Sequence, residues 1–189
     1  AASAFVEVSG QVVMEAESFT GFAAGTSSAA GQTWITSTSQ TGYSGSCEML
    51  ADPNNDINCG TGTWGPRMDY EVHFQTTGTY YIWVRVLGLT GVDDTLNAGL
   101  NGSATATKIG DQSGAWHWEQ NSQTTSSRAT LTVGSTGHHV VNIWMREDGF
   151  HVDKVVLSTN VDYTPTGTGP SESSTEDENT APTVDAGSN

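Results

Sequence analysis

The sequence predicts an all-β protein folded as a β-sandwich, and three observations carry that prediction. Apolar and polar residues alternate at period two in many short runs, as they do on strands with one buried face. In the run Thr79–Val86 (TYYIWVRV), Tyr80, Ile82, Val84 and Val86 share one face, and Tyr81, Trp83 and Arg85 share the other. Turn signals recur between the runs: TTGT at 76–79 and GSTG at 134–137 read as hairpin turns. The 189 residues include 22 glycines and no long run with apolar residues at helical spacing. No apolar run approaches the length of a membrane-spanning helix.

Strands are expected, in order, at residues 4–8, 11–17, 32–37, 67–74, 79–87, 95–100, 116–121, 127–133, 138–145 and 151–158. About ten short strands separated by turns argue for two packed sheets. The second run, QVVMEAE, poses a problem of charge. As a strand it points Val12, Met14 and Ala16 one way and Val13, Glu15 and Glu17 the other. Two carboxylates on one face then sit roughly 7 Å apart, and something positive must lie near them. Between Cys47 and Cys59 the stretch EMLADPNNDIN reads as an irregular polar loop. A disulfide closing so short a loop would add roughly 2–3 kcal/mol and imply an oxidising compartment. Two free thiols are the alternative.

Residues 1–160 carry the strands. Residues 161–178 are rich in Thr, Ser, Pro, Gly and acid, a composition that reads as a linker. Residues 179–189 (NTAPTVDAGSN) resemble the opening of an immunoglobulin-like or polycystic-kidney-disease-type domain. The formal net charge of −15, from 6 basic and 21 acidic residues, argues against nucleic acid and anionic membranes as partners. Such a charge solubilises, and some of the acids are candidates for binding cations.

Four pieces then assemble in order: Glu15-Ala-Glu17; Tyr70 through the Gly78-Thr-Tyr80 turn to Arg85; the Trp116-His-Trp118 pair; and Gly137-His-His, followed by His151-Val-Asp153. Across residues 11–158 this order resembles the carbohydrate-binding modules of families 6 and 35, sandwiches of the jelly-roll, galactose-binding-like group. The resemblance implies a structural Ca²⁺ held by Glu15, Glu17 and Asp153, with a backbone carbonyl from the loop at 37–43. Calcium is a hard cation that takes six to eight oxygens in flexible geometry, so three carboxylates suit it. The alternative is a polar strand face on which Glu15 meets Lys154 or an arginine.

The resemblance also implies a sugar site at the loop end, where two aromatics grip the ring and an asparagine binds its hydroxyls. Trp116 and Tyr43 fall at the aromatic positions, and His151 stands where the asparagine is usual. Trp64, Trp118 and Arg146 are further candidates there, as are Asp93, Asp94 and Glu147. Trp83 and Trp144 lie inside apolar strands and are expected in the core.

No nucleophile, zinc or phosphate-loop motif is present. The expected function is a non-catalytic module that tethers a secreted or surface-bound bacterial polysaccharide-degrading enzyme to its glycan. The ligand would be a polysaccharide or oligosaccharide, and the module would act as a monomer covalently joined to the catalytic domain. A glycoside hydrolase or polysaccharide lyase domain, which needs only a carboxylate pair, and a structural or adhesive spacer are the alternatives.

Overall fold

The computed structural model describes residues 3–176. Thirteen strands form two facing sheets: β1 (Phe5–Val6), β2 (Gln11–Glu15), β3 (Gly21–Ala23), β4 (Thr33–Ser37), β5 (Glu48–Asp52), β6 (Arg67–Phe74), β7 (Gly78–Leu87), β8 (Leu96–Leu100), β9 (Ser103–Ile109), β10 (His117–Glu119), β11 (Thr130–Val133), β12 (Gly137–Met145) and β13 (His151–Ser158). One sheet has six strands in the order β1-β6-β12-β8-β9, with β3 beside β6. The other has seven in the order β10-β7-β13-β5-β4, with β11 beside β7 and β2 beside β13.

The core lies between the sheets, and the alternation of the sequence fills it. Tyr80, Ile82, Val84 and Val86 of β7 share one cluster with Met68, Tyr70, Val72 and Phe74 of β6, and Met14, Met49, Val155 and Leu157 join it from the strands of the β7 sheet. The outer positions of β7, Trp83 and Arg85, lie on the far face as the alternation predicts, so Trp83, expected in the core, is buried instead in a smaller outer cluster with Val13, Val156, Trp118 and Tyr163. Trp144 is buried.

The structure corrects three expectations. The strand expected through residue 17 stops at Glu15, and a 3-10 turn at Ala16–Ser18 carries Glu17 away from the face Glu15 occupies. The stretch expected as an irregular loop contains β5, whose Met49 and Ala51 enter the core. The Asp-Pro-Asn-Asn turn that follows it hid this short alternation. The third correction concerns the disulfide, because Cys47 and Cys59 are both free. An extended strand of five residues carries the chain about 17 Å from Cys47, and Cys59 is then held at the far side by its backbone N–H, which donates to the Arg146 carbonyl. Burial pushes the Cys59 thiol up to about 11, so it stays protonated.

Residues 161–178, expected as a linker, are described as far as Glu176, and that part lies against the sandwich. Tyr163 packs on the Trp83 cluster. The Gly167 carbonyl accepts from the Trp118 indole N–H (3.1 Å) and from Arg85 Nε (3.1 Å), and the Pro170 carbonyl accepts from Lys154 Nζ (3.0 Å). Ser173 then pairs with the backbone of Val13 on the free edge of β2, and Ser174 and Glu176 pair with Val6 and Ala4 around β1. Backbone groups, which any composition supplies, make most of these bonds, so a polar sequence docks as well as an apolar one. The expected domain at 179–189 lies outside the described residues.

Candidate functional site

A β-bulge in β13 organises the region around Asp153. Val152 pairs with Val86 and Lys154 with Arg85, which leaves Asp153 as the extra residue. Bulges re-aim side chains, and this one puts two consecutive polar residues to work beside Arg85. Asp153 Oδ2 accepts from Arg85 Nη1 at 2.7 Å, and Lys154 Nζ reaches Glu15 Oε1 at 2.8 Å. Ser44 joins the two pairs: its hydroxyl lies 2.7 Å from Glu15 Oε2 and 3.0 Å from Asp153 Oδ2, and its amide donates to Asp153 Oδ1 at 2.6 Å. Burial still raises the Glu15 carboxyl above its ordinary value, against the lowering by Lys154 and Ser44.

Glu17 reaches the same loop from outside. Its Oε1 accepts from the amide (2.7 Å) and hydroxyl (3.1 Å) of Ser46. Glu15, Glu17 and Asp153 are thus gathered by one segment, residues 44–47. They do not form, among the described residues, a cluster whose ligand atoms all lie within 4.8 Å of one another. The charges of Glu15 and Asp153 are balanced by Lys154 and Arg85. Glu17 Oε2 is buried without a hydrogen-bond partner, and it is the oxygen of the three carboxylates most open to a cation. Sequence reasoning foresaw Lys154 or an arginine near Glu15 as an alternative to calcium. It missed Ser44 and the bulge.

Trp116 stands beside this quartet, just before β10. Arg85 lies over its ring at 5.3 Å, its indole N–H donates to the Thr41 carbonyl at 3.1 Å, and the His151 ring meets it edge-on at 6.4 Å. Gly42 comes so close that a Cβ there would sit 3.4 Å from Trp116 Cδ1. Trp116 and Tyr43 are both half-buried, so each keeps part of its ring open to solvent. The structure therefore brings Trp116, His151 and the loop bearing Tyr43 together at the loop end of the seven-stranded sheet.

His151 is deeply buried, with Nδ1 3.3 Å from Glu48 Oε1. Burial lowers its pKa, against the pull of Glu48, so the neutral ring is favoured, with one nitrogen donating and one accepting. Ser37, Ser39 and the Gln40 amide saturate Glu48 Oε1, while Glu48 Oε2 and His151 Nδ1 have no hydrogen-bond partner.

Three other candidates lie elsewhere or are engaged. Trp118 shares the outer face with Trp116, but Gly169 and the Gly167 carbonyl cover it. Arg146 is buried and committed to Glu147 and to the Thr95 hydroxyl (2.6 Å). Trp64 is 39% exposed and folds its ring over Gly62 in the turn before β6. Asp93 and Asp94 are also buried: Asn54 and Thr90 hold the first, and Gln123 holds the second. Burial and the neighbouring Glu147 raise Asp94 to about 6. A concavity of about 160 Å³ between β9 and the 122–130 segment is lined by hydroxyls and Arg128 and has no aromatic ring. It offers nothing for the apolar face of a sugar to stack on.

A two-sheet β-sandwich is the fold of carbohydrate-binding modules of families 35 and 6, and such modules are its structural neighbours. The chain belongs to the family described as the glycosyl hydrolase family 115 C-terminal domain, whose model matches residues 4–172. A family 35 module from Clostridium thermocellum superposes with a TM-score of 0.52 at 20% identity, covering 78% of this chain and 96% of that one. The Podospora anserina GH26-CBM35 β-(1,4)-mannanase gives 0.56 at 16% identity over 82% of this chain and 29% of that one. At these identities the likeness is one of fold. An uncharacterized protein, P23, of Formosa agariphila is 36% identical over 113 residues, which is 54% of this chain and 27% of that protein. The chain therefore spans little more than a quarter of the length of this relative.

Proposed function

We propose that the domain is a non-catalytic carbohydrate-binding module that keeps a glycoside hydrolase on its polysaccharide substrate. The observation that supports this reading best is the placement of Trp116: a half-buried indole, braced by Arg85 and the Thr41 carbonyl, beside a neutral histidine and a loop that carries Tyr43. Sugars present an apolar C–H face to an aromatic ring and hydroxyls to polar groups at its edge. In this site Trp116 and Tyr43 supply the stacking surface, and His151 binds ring hydroxyls. The site acts by raising local concentration, and linkage to the catalytic domain multiplies a weak affinity. The module works outside the cell, as a monomer, where the polymer is. The free thiols of Cys47 and Cys59 carry no argument about compartment.

A calcium ion belongs to the same proposal as a structural component. Glu17, through its unpartnered buried oxygen, and the neighbouring Glu15 and Asp153 would hold it. The ion would supply positive charge between the two ends of the chain and would compete there with Lys154 and Arg85. Oxygen donors of this kind suit calcium.

Affinity electrophoresis of the Trp116→Ala variant against a panel of polysaccharides tests the sugar site. Binding should disappear while the circular dichroism spectrum stays unchanged. Undiminished binding would move the site away from Trp116, and release of reducing sugar by the pure domain would make it an enzyme.

A further inference from the structure

The six-stranded sheet carries a second cluster on its outer face, and no part of the sugar site uses it. His73 of β6 and His138 of β12 are direct cross-strand partners in an antiparallel pair. Their rings stack at 4.9 Å between centroids, tilted by 17°. Glu176 bridges them: one carboxylate oxygen meets His73 Nδ1, and the other lies 3.4 Å from His138 Nε2. On the far side Glu71 Oε1 lies 3.1 Å from His138 Nδ1. One ligand atom from each of His73, His138 and Glu176 lies within 4.8 Å of the others.

We propose that His73, His138 and Glu176 form a binding site for a divalent transition cation of the Zn²⁺ class. Two imidazole nitrogens and a carboxylate oxygen are the donor set such ions favour, with a fourth position left to water. In a tetrahedral site with bonds of about 2 Å, ligand atoms stand about 3.3 Å apart. Half-exposed side chains at this spacing close the difference by rotation, without moving the strands. Glu71 takes the ring nitrogen of His138 that the ion does not use. That fixes the tautomer and turns Nε2 toward the metal, as an outer carboxylate does for ligating histidines. The charge also closes, since two carboxylates balance one dication.

The site consists of three segments distant in the chain. β6 and β12 are joined by their ladder. Glu176 arrives only because the C-terminal segment pairs with β1, with Thr175 opposite Phe5 and the Glu176 amide on the Ala4 carbonyl. A bound ion therefore fastens the end of that segment to the six-stranded sheet and fixes where the chain leaves the domain.

The test is titration of ZnCl₂ into the metal-stripped 189-residue protein, by calorimetry, with excess CaCl₂ present to keep any calcium site filled. One equivalent should bind. His73→Gln, His138→Gln and Glu176→Gln should each weaken binding by at least about tenfold. In limited proteolysis, zinc should protect residues 161–176 of the unaltered protein but not of the His138→Gln protein. His117→Gln serves as the control, because His117 belongs to a separate cluster with Asp111 and Glu119. The three substituted side chains are 34–48% exposed, so the variants keep the fold. Failure to bind zinc, or binding that survives all three substitutions or is lost with His117, overturns the proposal. None of these outcomes bears on the sugar reading, which Trp116 tests.

Discussion

The outer faces of the two sheets differ in a way that β6 and β13 make plain. β6 alternates strictly between buried and half-exposed residues along its whole length, whereas β13 is buried at every position. Both are interior strands with one face on the same core. What differs is the cover. The outer face of the six-stranded sheet meets solvent around Glu71, His73 and His138. The outer face of the seven-stranded sheet lies beneath the segment from Tyr163 to Ser173, with Trp116 and the 41–47 loop closing its other end. Alternation thus reports whether the far face is wet. The covered face can hold charge pairs such as Arg85–Asp153, whose side chains are 8% and 0% exposed. The wet face holds exposed groups that an ion could recruit.

That comparison breaks most sharply at Asp153. Asp153→Ala leaves Arg85 buried and unpaired and should cost about 3–5 kcal/mol in urea unfolding. A cost below about 1 kcal/mol would mean that water reaches this face. Trp83→Ala, in the covered cluster, should cost about 3 kcal/mol or more, while Trp116→Ala at its rim should cost far less stability and remove sugar binding. Equal losses of stability from the two would erase the distinction between packing and platform tryptophans. Removing calcium from the calcium-loaded protein with a chelator should lower the melting temperature by a few degrees, because an ion that binds only the folded state stabilises it. An unchanged melting curve would leave Lys154 and Arg85 as the whole answer to the charge of Glu15 and Asp153.

A smaller effect is expected from pH. Asp94 is raised to about 6 by burial and Glu147, so its protonated form is favoured by folding. The stability this group contributes is fully present below its unfolded value near 3.9 and is lost as pH rises through about 6. Asp94→Asn should therefore match the unaltered protein at pH 4 and become the more stable of the two by pH 7. The opposite trend in thermal melts would show Asp94 ionised and held by Arg146. The smallest change is expected on the wet face: without added zinc, His138→Gln should move stability by less than about 0.5 kcal/mol.

Much of the fold was legible in the sequence because alternation is a local signal. The facing of Tyr80, Ile82, Val84 and Val86 against Trp83 and Arg85 came directly from it, as did most strands. β5 was missed because its two core residues, Met49 and Ala51, sit in a polar stretch between cysteines. β9 (SATATKI) was missed because small and hydroxylated residues give period two no contrast. At the site, His151, Trp116 and the Tyr43 loop were legible through resemblance and do meet. Trp118 was not separable from Trp116 by sequence, since both share a face and only the covering segment distinguishes them.

Local periodicity and turn chemistry determined by themselves that this chain folds as strands, which face of each strand is apolar, and which residues are available as aromatics and acids. The tertiary structure decided where the charges go. The bulge that sets Asp153 beside Arg85, the docking of a linker-like segment through backbone hydrogen bonds, and the meeting of His73, His138 and Glu176 all depend on pairing between distant segments. Side-chain alternation encodes burial along one strand. It carries no record of which backbone edge another segment will find, because every residue offers nearly the same donor and acceptor there.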